Sequence, residues 1–239
     1  MQARCASAPK PSGFRTLAMR CPAVLCLLVS GCAAEEPEAR ARYTTGHADL
    51  LMALGPDASA GMQVFLAAGG AVIDGERKTN RRYALTAVEI VSSAVFERPE
   101  KDKDAFALLC ADPGESVRWL PQNLQDASRR EAPFLGLSVK APSGLLVDDQ
   151  LRLRLVSVTP DSDTGHYALW RDGLRPEFHM STCDGIDAED ELPLPIGHDH
   201  FNMAFSAPGQ WSVRYGVSAA TPEGGMIESE FSVNYTLLK

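Results

Sequence analysis

Apolar and polar positions alternate with a period of two in three stretches of the chain. Leu151, Leu153 and Leu155 alternate with Arg152 and Arg154; Trp211, Val213, Tyr215 and Val217 with Ser212, Arg214, Gly216 and Ser218; and Phe231, Val233, Tyr235 and Leu237 with Ser232, Asn234 and Thr236. Successive side chains on a strand point to opposite faces, so each stretch predicts a strand with one dry and one wet face. The same rule applied to residues 197–209 predicts a strand that carries Phe201, Met203 and Phe205 on its apolar side and His198, His200 and Asn202 on the other. Asp199 falls on the side of the apolar set and marks the start of that strand. Less regular strand candidates cover residues 63–67, 83–92, 105–110, 134–139 and 166–170. Turn formers separate them: Asp112-Pro113-Gly114, Pro142-Ser143-Gly144, Arg171-Asp172-Gly173, Pro208-Gly209 and Pro222-Glu223-Gly224-Gly225. Residues 47–54 are the exception, because Leu50, Leu51 and Leu54 fit a short helical turn. Many short strands punctuated by Gly and Pro predict an all-β fold: one antiparallel β-sandwich, immunoglobulin-like or jelly-roll-like, over residues 43–239.

The first 31 residues interrupt this pattern. They hold Arg4, Lys10, Arg15 and Arg20 but no acid, and end in the apolar run from Pro22 to Val29 followed by Ser30 and Gly31. A basic stretch, a short apolar core and small residues describe a secretory signal, and the core is shorter than the about 20 residues a spanning helix needs. Val29-Ser30-Gly31-Cys32 resembles the lipobox of bacterial lipoproteins, which implies that Cys32 carries the lipid; cleavage near Ala33 or Ala34 to give a soluble protein is the alternative. Residues 32–42 then read as lipidated Cys and tether, polar and without apolar period. Met19 is an alternative start and leaves Cys32 where it is.

Removal of the leader takes away four basic residues and no acid, so the formal charge moves from −8 to −12. That balance offers no basic stripe to a phosphate backbone and argues against nucleic-acid binding and against adsorption to anionic lipid. Membrane attachment would rest on the acyl chains. Of six cysteines, Cys5, Cys21 and Cys26 leave with the signal and Cys32 takes the lipid. Cys110 and Cys183 remain, either as a disulfide suited to an oxidising compartment or as two separately buried thiols.

Five histidines occur, His47, His166, His179, His198 and His200. On a strand, positions 198 and 200 sit about 6.6 Å apart along the chain, close enough for both rings to lean toward one ion. Further ligands would come from His47 with Asp49, and then His179. The competing reading is that these imidazoles hydrogen bond to neighbouring turns. The acidic run Asp187-Ala188-Glu189-Asp190-Glu191 lacks the spacing and central Gly of a calcium loop and reads as a solvated turn. Asp161-Ser162-Asp163-Thr164-Gly165 alternates oxygen ligands better, and an Asx turn explains it equally. Gly-x-Ser-x-Gly, phosphate-loop, Gly-x-Gly-x-x-Gly and HExxH signatures are absent. Trp211 belongs to an apolar set, whereas Trp119 and Trp170 are open to a core role or to a carbohydrate platform.

Three segments share a resemblance: Tyr43-Thr44-Thr45-Gly46-His47-Ala48-Asp49-Leu50, Val117-Arg118-Trp119-Leu120-Pro121-Gln122 and His198-Asp199-His200-Phe201-Asn202-Met203-Ala204-Phe205. Together they resemble the actinobacterial-type surface-anchored protein domain, also called the choice-of-anchor M domain, although that family often has Trp where this chain has Met203. The resemblance spans nearly the whole chain after the leader. It implies a β-rich extracellular module, recurrent motifs at Gly46-His47 and at His198 and His200, and an association with metal-type ABC transporters. The resulting expectation is a lipid-anchored, extracytoplasmic protein of the bacterial cell envelope that binds or presents, and is not an enzyme. His47, His198 and His200 would contact a divalent transition metal such as zinc, with Asp49 and His179 as additional ligands, and an ABC transporter or envelope protein as partner. The rivals are a purely structural envelope module, a carbohydrate- or protein-binding accessory domain using Trp119 or Trp170, and a zinc-dependent hydrolase.

Overall fold

The computed structural model describes residues 39–56, 61–101, 103–160 and 165–239. The expected leader, Cys32, the tether up to residue 38 and residues 161–164 of the candidate oxygen loop lie outside the described residues. The described residues form one folded unit. Its strands are β1 (Ala41–Leu54), β2 (Met62–Ile73), β3 (Glu76–Ala84), β4 (Val88–Ser92), β5 (Val95–Glu97) and β6 (Ser116–Leu120). After the short helix α1 (Leu124–Arg129) come β7 (Pro133–Lys140), β8 (Gln150–Pro160), β9 (Tyr167–Arg171), β10 (Glu177–Ser181), β11 (Glu191–Pro195), β12 (Gly197–His200), β13 (Asn202–Phe205), β14 (Gly209–Ala220) and β15 (Met226–Leu237).

Two sheets form an all-β sandwich. The larger is curled, in the order β11-β8-β14-β15-β4-β1-β2-β3, with β7 paired to β1 and β12 paired to β7. The smaller is antiparallel, in the order β10-β9-β13-β6-β5. The three alternating stretches became β8, β14 and β15, and their dry positions from Leu151 to Leu237 join one core. Most pairings are antiparallel; the parallel ones all involve β1 or β4. β1 is long enough to share one edge between two neighbours, β4 at Ala41–Tyr43 and β7 from Gly46 to Ala53.

Several local expectations are corrected. Residues 47–54 are strand, not helical turn: Leu50, Leu51 and Met52 are all buried because β1 is covered on both faces, which erases the period of two. Residues 105–110 lie mostly in a 3₁₀ turn (Lys103–Leu109) rather than a strand. Residues 83–92 divide into the end of β3, a turn and β4. Residues 197–205 are two strands, not one. β12 ends at His200 in the larger sheet, Phe201 crosses the interior, and β13 begins at Asn202 in the smaller sheet.

That crossing separates Asn202 from the histidines. Phe201, Met203 and Phe205 enter the main core as expected, packed with Tyr167, Tyr215 and Tyr235. On the other side of β13, Ala204 joins Trp119, Trp170 and Val117 in a second apolar layer closed by Phe96, Phe106 and Phe178. Fully buried Asn202 serves this layer, accepting hydrogen bonds at Oδ1 from Trp119 Nε1 (2.9 Å) and Gln122 N (3.0 Å). A Cys110–Cys183 disulfide, with Cα atoms 5.5 Å apart, ties the 3₁₀ turn over this layer to the end of β10.

Candidate metal centre

Three neighbouring strands of the larger sheet build the centre. In the β1–β7–β12 register, Asp49 and His200 both lie opposite Gly136. His47 is two residues before Asp49 on β1, and His198 two residues before His200 on β12, so the period of two places all four side chains on one face. Their ligand atoms all lie within 4.8 Å of one another. His198 Nε2 is 2.9 Å from His200 Nε2, His47 Nε2 is 3.3 Å from Asp49 Oδ1, and His198 Nε2 is 3.5 Å from the same oxygen.

Glycine makes room for this convergence. A Cβ on Gly136 would come within 2.2 Å of Asp49 Oδ1, 3.0 Å of His200 Cε1 and 3.2 Å of His198 Cδ2. One on Gly69 of β2 would come within 2.7 Å of His47 Nδ1. Gly46 has φ +78°, and a side chain there would strike Gly70 O at 2.3 Å. At this point the β1–β2 register shifts, and the bulge turns His47 toward the other donors. Tyr43, fully buried, fastens the bulge by donating to Gly46 O (2.7 Å) and to Phe134 O of β7 (3.2 Å). Burial, and then the Asp49 carboxylate, push the Tyr43 phenol well above its usual range, so it stays a donor.

The His200 ring stacks on Phe134 with 3.7 Å between centroids and 3° between planes, and His47 packs on the same phenyl at 5.4 Å. Burial, and then the imidazoles of His198 and His47, lower the His200 pKa to about 4, so the ring is neutral and available as a ligand near pH 7. Nε2 of His47, Oδ1 of Asp49 and Nδ1 of His200 are buried without a hydrogen bond. Buried polar atoms ordinarily have hydrogen-bond partners; His47 Nε2 and Asp49 Oδ1 face each other at 3.3 Å without forming one, which marks a place for a cation.

The donor chemistry fits a transition metal. Four donors around zinc at about 2.0–2.1 Å stand about 3.3 Å from one another in a tetrahedron, and the three separations above bracket that value. Imidazole with a single carboxylate also suits copper and nickel, whereas calcium and magnesium want oxygen throughout. These residues can therefore hold a metal ion.

Of the expected ligands, His47, His198, His200 and Asp49 come together and His179 does not. His179 packs edge-on against Phe201 and belongs to β10 of the other sheet. His166 stands apart too, its Nδ1 3.4 Å from Thr182 O. Asp199 points away from the cluster and pairs with Arg171, while its Oδ1 accepts from His200 N at 2.8 Å. Asp187, Ala188 and Glu189 are exposed, as a solvated turn requires, but Asp190 departs from that reading. It is buried and accepts from the backbone N–H groups of Ser181 (2.7 Å) and Asp187 (2.8 Å). Trp119 and Trp170 are 6% and 0% exposed and present no platform to a sugar. Gly136 and Phe134 escaped the sequence reading because the run Phe134-Leu135-Gly136-Leu137 reads only as a buried strand. The chain matches no family model and no curated protein.

Proposed function

We propose that this protein is a metal-binding lipoprotein of the bacterial envelope, anchored through Cys32, that captures a divalent transition ion, zinc foremost, at His47, Asp49, His198 and His200. The observation that carries this reading is the convergence of three imidazoles and one carboxylate over a glycine, with two of the donor atoms buried and without a hydrogen bond. Four protein donors complete a tetrahedron, whereas a hydrolytic zinc site keeps one position for water, so the donor count favours binding over catalysis. His198 leaves the site open to solvent on one side, its side chain 46% exposed, which suits loading and unloading better than a closed structural site would. The disulfide suits an oxidising compartment outside the cytoplasm, as does the signal-like leader. The resemblance to the choice-of-anchor M domain supports the same placement and makes a metal-type ABC transporter the natural partner.

Zinc, copper and manganese content of the purified protein, measured by mass spectrometry after micromolar supply, tests the binding function. About one ion per chain is expected in the wild type, with loss in His200→Ala. A metal-free wild type would leave a purely structural envelope module. Membrane fractionation of Cys32→Ser tests the anchor: the variant should leave the membrane fraction, and its retention there would refute lipidation at Cys32.

A further inference from the structure

We infer that the four ligands divide into a fixed set of three, His47, Asp49 and His200, and one exchange ligand, His198, through which the ion passes to a second chelating molecule. This deepens the metal-binding reading and rests on it. The division follows from what holds each side chain. His200 is 9% exposed and stacked on Phe134. The side chains of His47 and Asp49 are 30% and 19% exposed; His47 packs between Phe134 and Gly69, and Asp49 sits across Gly136 on the central strand of the site. The His198 side chain, at 46%, is the most exposed of the four, and its ring contacts are edge-on with the two other imidazoles of the cluster.

The backbone sets His198 apart as well, since its strand-mate His200 runs on through buried Phe201 into β13 whereas His198 lies toward the start of β12. β1, which carries His47 and Asp49, is paired along both edges. β12 is held by four paired residues of β7, and no other strand pairs with it among the described residues. On the face of the sheet that carries the site, His198 is the ligand open to solvent, its side chain 46% exposed. A donor from another molecule can therefore approach on the His198 side while the other three ligands keep their places. In the exchange, the bond between the metal and His198 Nε2 breaks as a bond to the incoming nitrogen or oxygen forms. The ion remains a dication, and no electron moves.

Transfer of zinc from the mature wild-type chain to the chromophoric chelator 4-(2-pyridylazo)resorcinol tests this. The wild type should transfer at a rate that rises in proportion to chelator concentration, because the acceptor enters before the ion leaves. His198→Ala should still hold one zinc at micromolar supply and release it about tenfold faster or more, whereas His47→Ala and His200→Ala should hold none. Circular dichroism verifies that each variant is folded. Loss of zinc from His198→Ala equal to that from His200→Ala, or a transfer rate equal to wild type, would overturn the exchange role while leaving metal binding in place. A wild-type chain that takes up no zinc would instead overturn the binding function, and the exchange role with it.

Discussion

Replacing Gly136 with Ala tests the geometry of the centre without removing any ligand. The added methyl would stand 2.2 Å from Asp49 Oδ1, and ordinary contact begins at 3.4 Å, so the carboxylate must withdraw by about 1.2 Å. Metal–ligand distances tolerate displacements of only about 0.2 Å, so Asp49 is lost as a ligand. The 3.0 and 3.2 Å approaches to His200 and His198 require smaller shifts, of a few tenths of an ångström. Zinc affinity, measured by competition against a chelator of known strength, should fall about 100-fold or more. Stability of the metal-free protein, read from urea unfolding, should fall by about 1–3 kcal/mol through overpacking. Gly216→Ala is the control: it also lies within a strand, and its nearest obstacle is the Arg154 side chain at 2.7 Å, which can swing into solvent. The control should bind zinc as the wild type does. Zinc affinity in Gly136→Ala within about threefold of wild type would show that these four residues do not share an ion over Gly136.

Reducing the Cys110–Cys183 bond, which closes a separation of 73 residues, should cost about 4–5 kcal/mol in the chain-entropy model, measured as the drop in unfolding free energy of the Cys110→Ser/Cys183→Ser double variant. Tyr43→Phe removes the donor to Gly46 O and Phe134 O and should cost about 1–2 kcal/mol by urea unfolding, with weaker zinc binding as the bulge under His47 loosens. In the metal-free protein, His200 binds its proton less tightly when folded than when unfolded, so unfolding takes up protons between the ordinary value of 6.5 and about 4. Stability is therefore complete above pH 6.5 and falls as pH drops through that window, on the order of 2 kcal/mol after allowance for the open side of the site, and His200→Gln should flatten this slope.

What could be read from the chain follows burial. β8, β14 and β15 were legible because each has one wet face, which keeps the period of two intact. β1 and β13 are covered on both faces; the first imitated a helical turn, and the second merged with β12 into one predicted strand. A change of sheet at Phe201 has no signature in a pattern that reports only which faces are dry. β3 was hidden for the opposite reason, since Arg77, Thr79, Asn80, Arg81 and Arg82 are all exposed on an edge strand that needs no apolar face. The His198 and His200 pair was legible because it belongs to one strand. Its meeting with His47 and Asp49 depends on a parallel β1–β7 pairing between residues far apart in sequence, which local spacing does not encode. Spacing singled out His198 and His200, and residue type with the resemblance added His47 and Asp49, but nothing marked the glycine between them, whose part is to leave space empty.

X-ray absorption at the zinc edge of the zinc-loaded protein measures the centre most directly. Four nitrogen or oxygen donors at about 2.0–2.1 Å are predicted, with outer-shell scattering from three imidazoles, falling to two in His198→Ala. Sulfur in the first shell, scattering from fewer than three imidazoles in the wild type, or a protein that retains no zinc would contradict a His47, Asp49, His198 and His200 site.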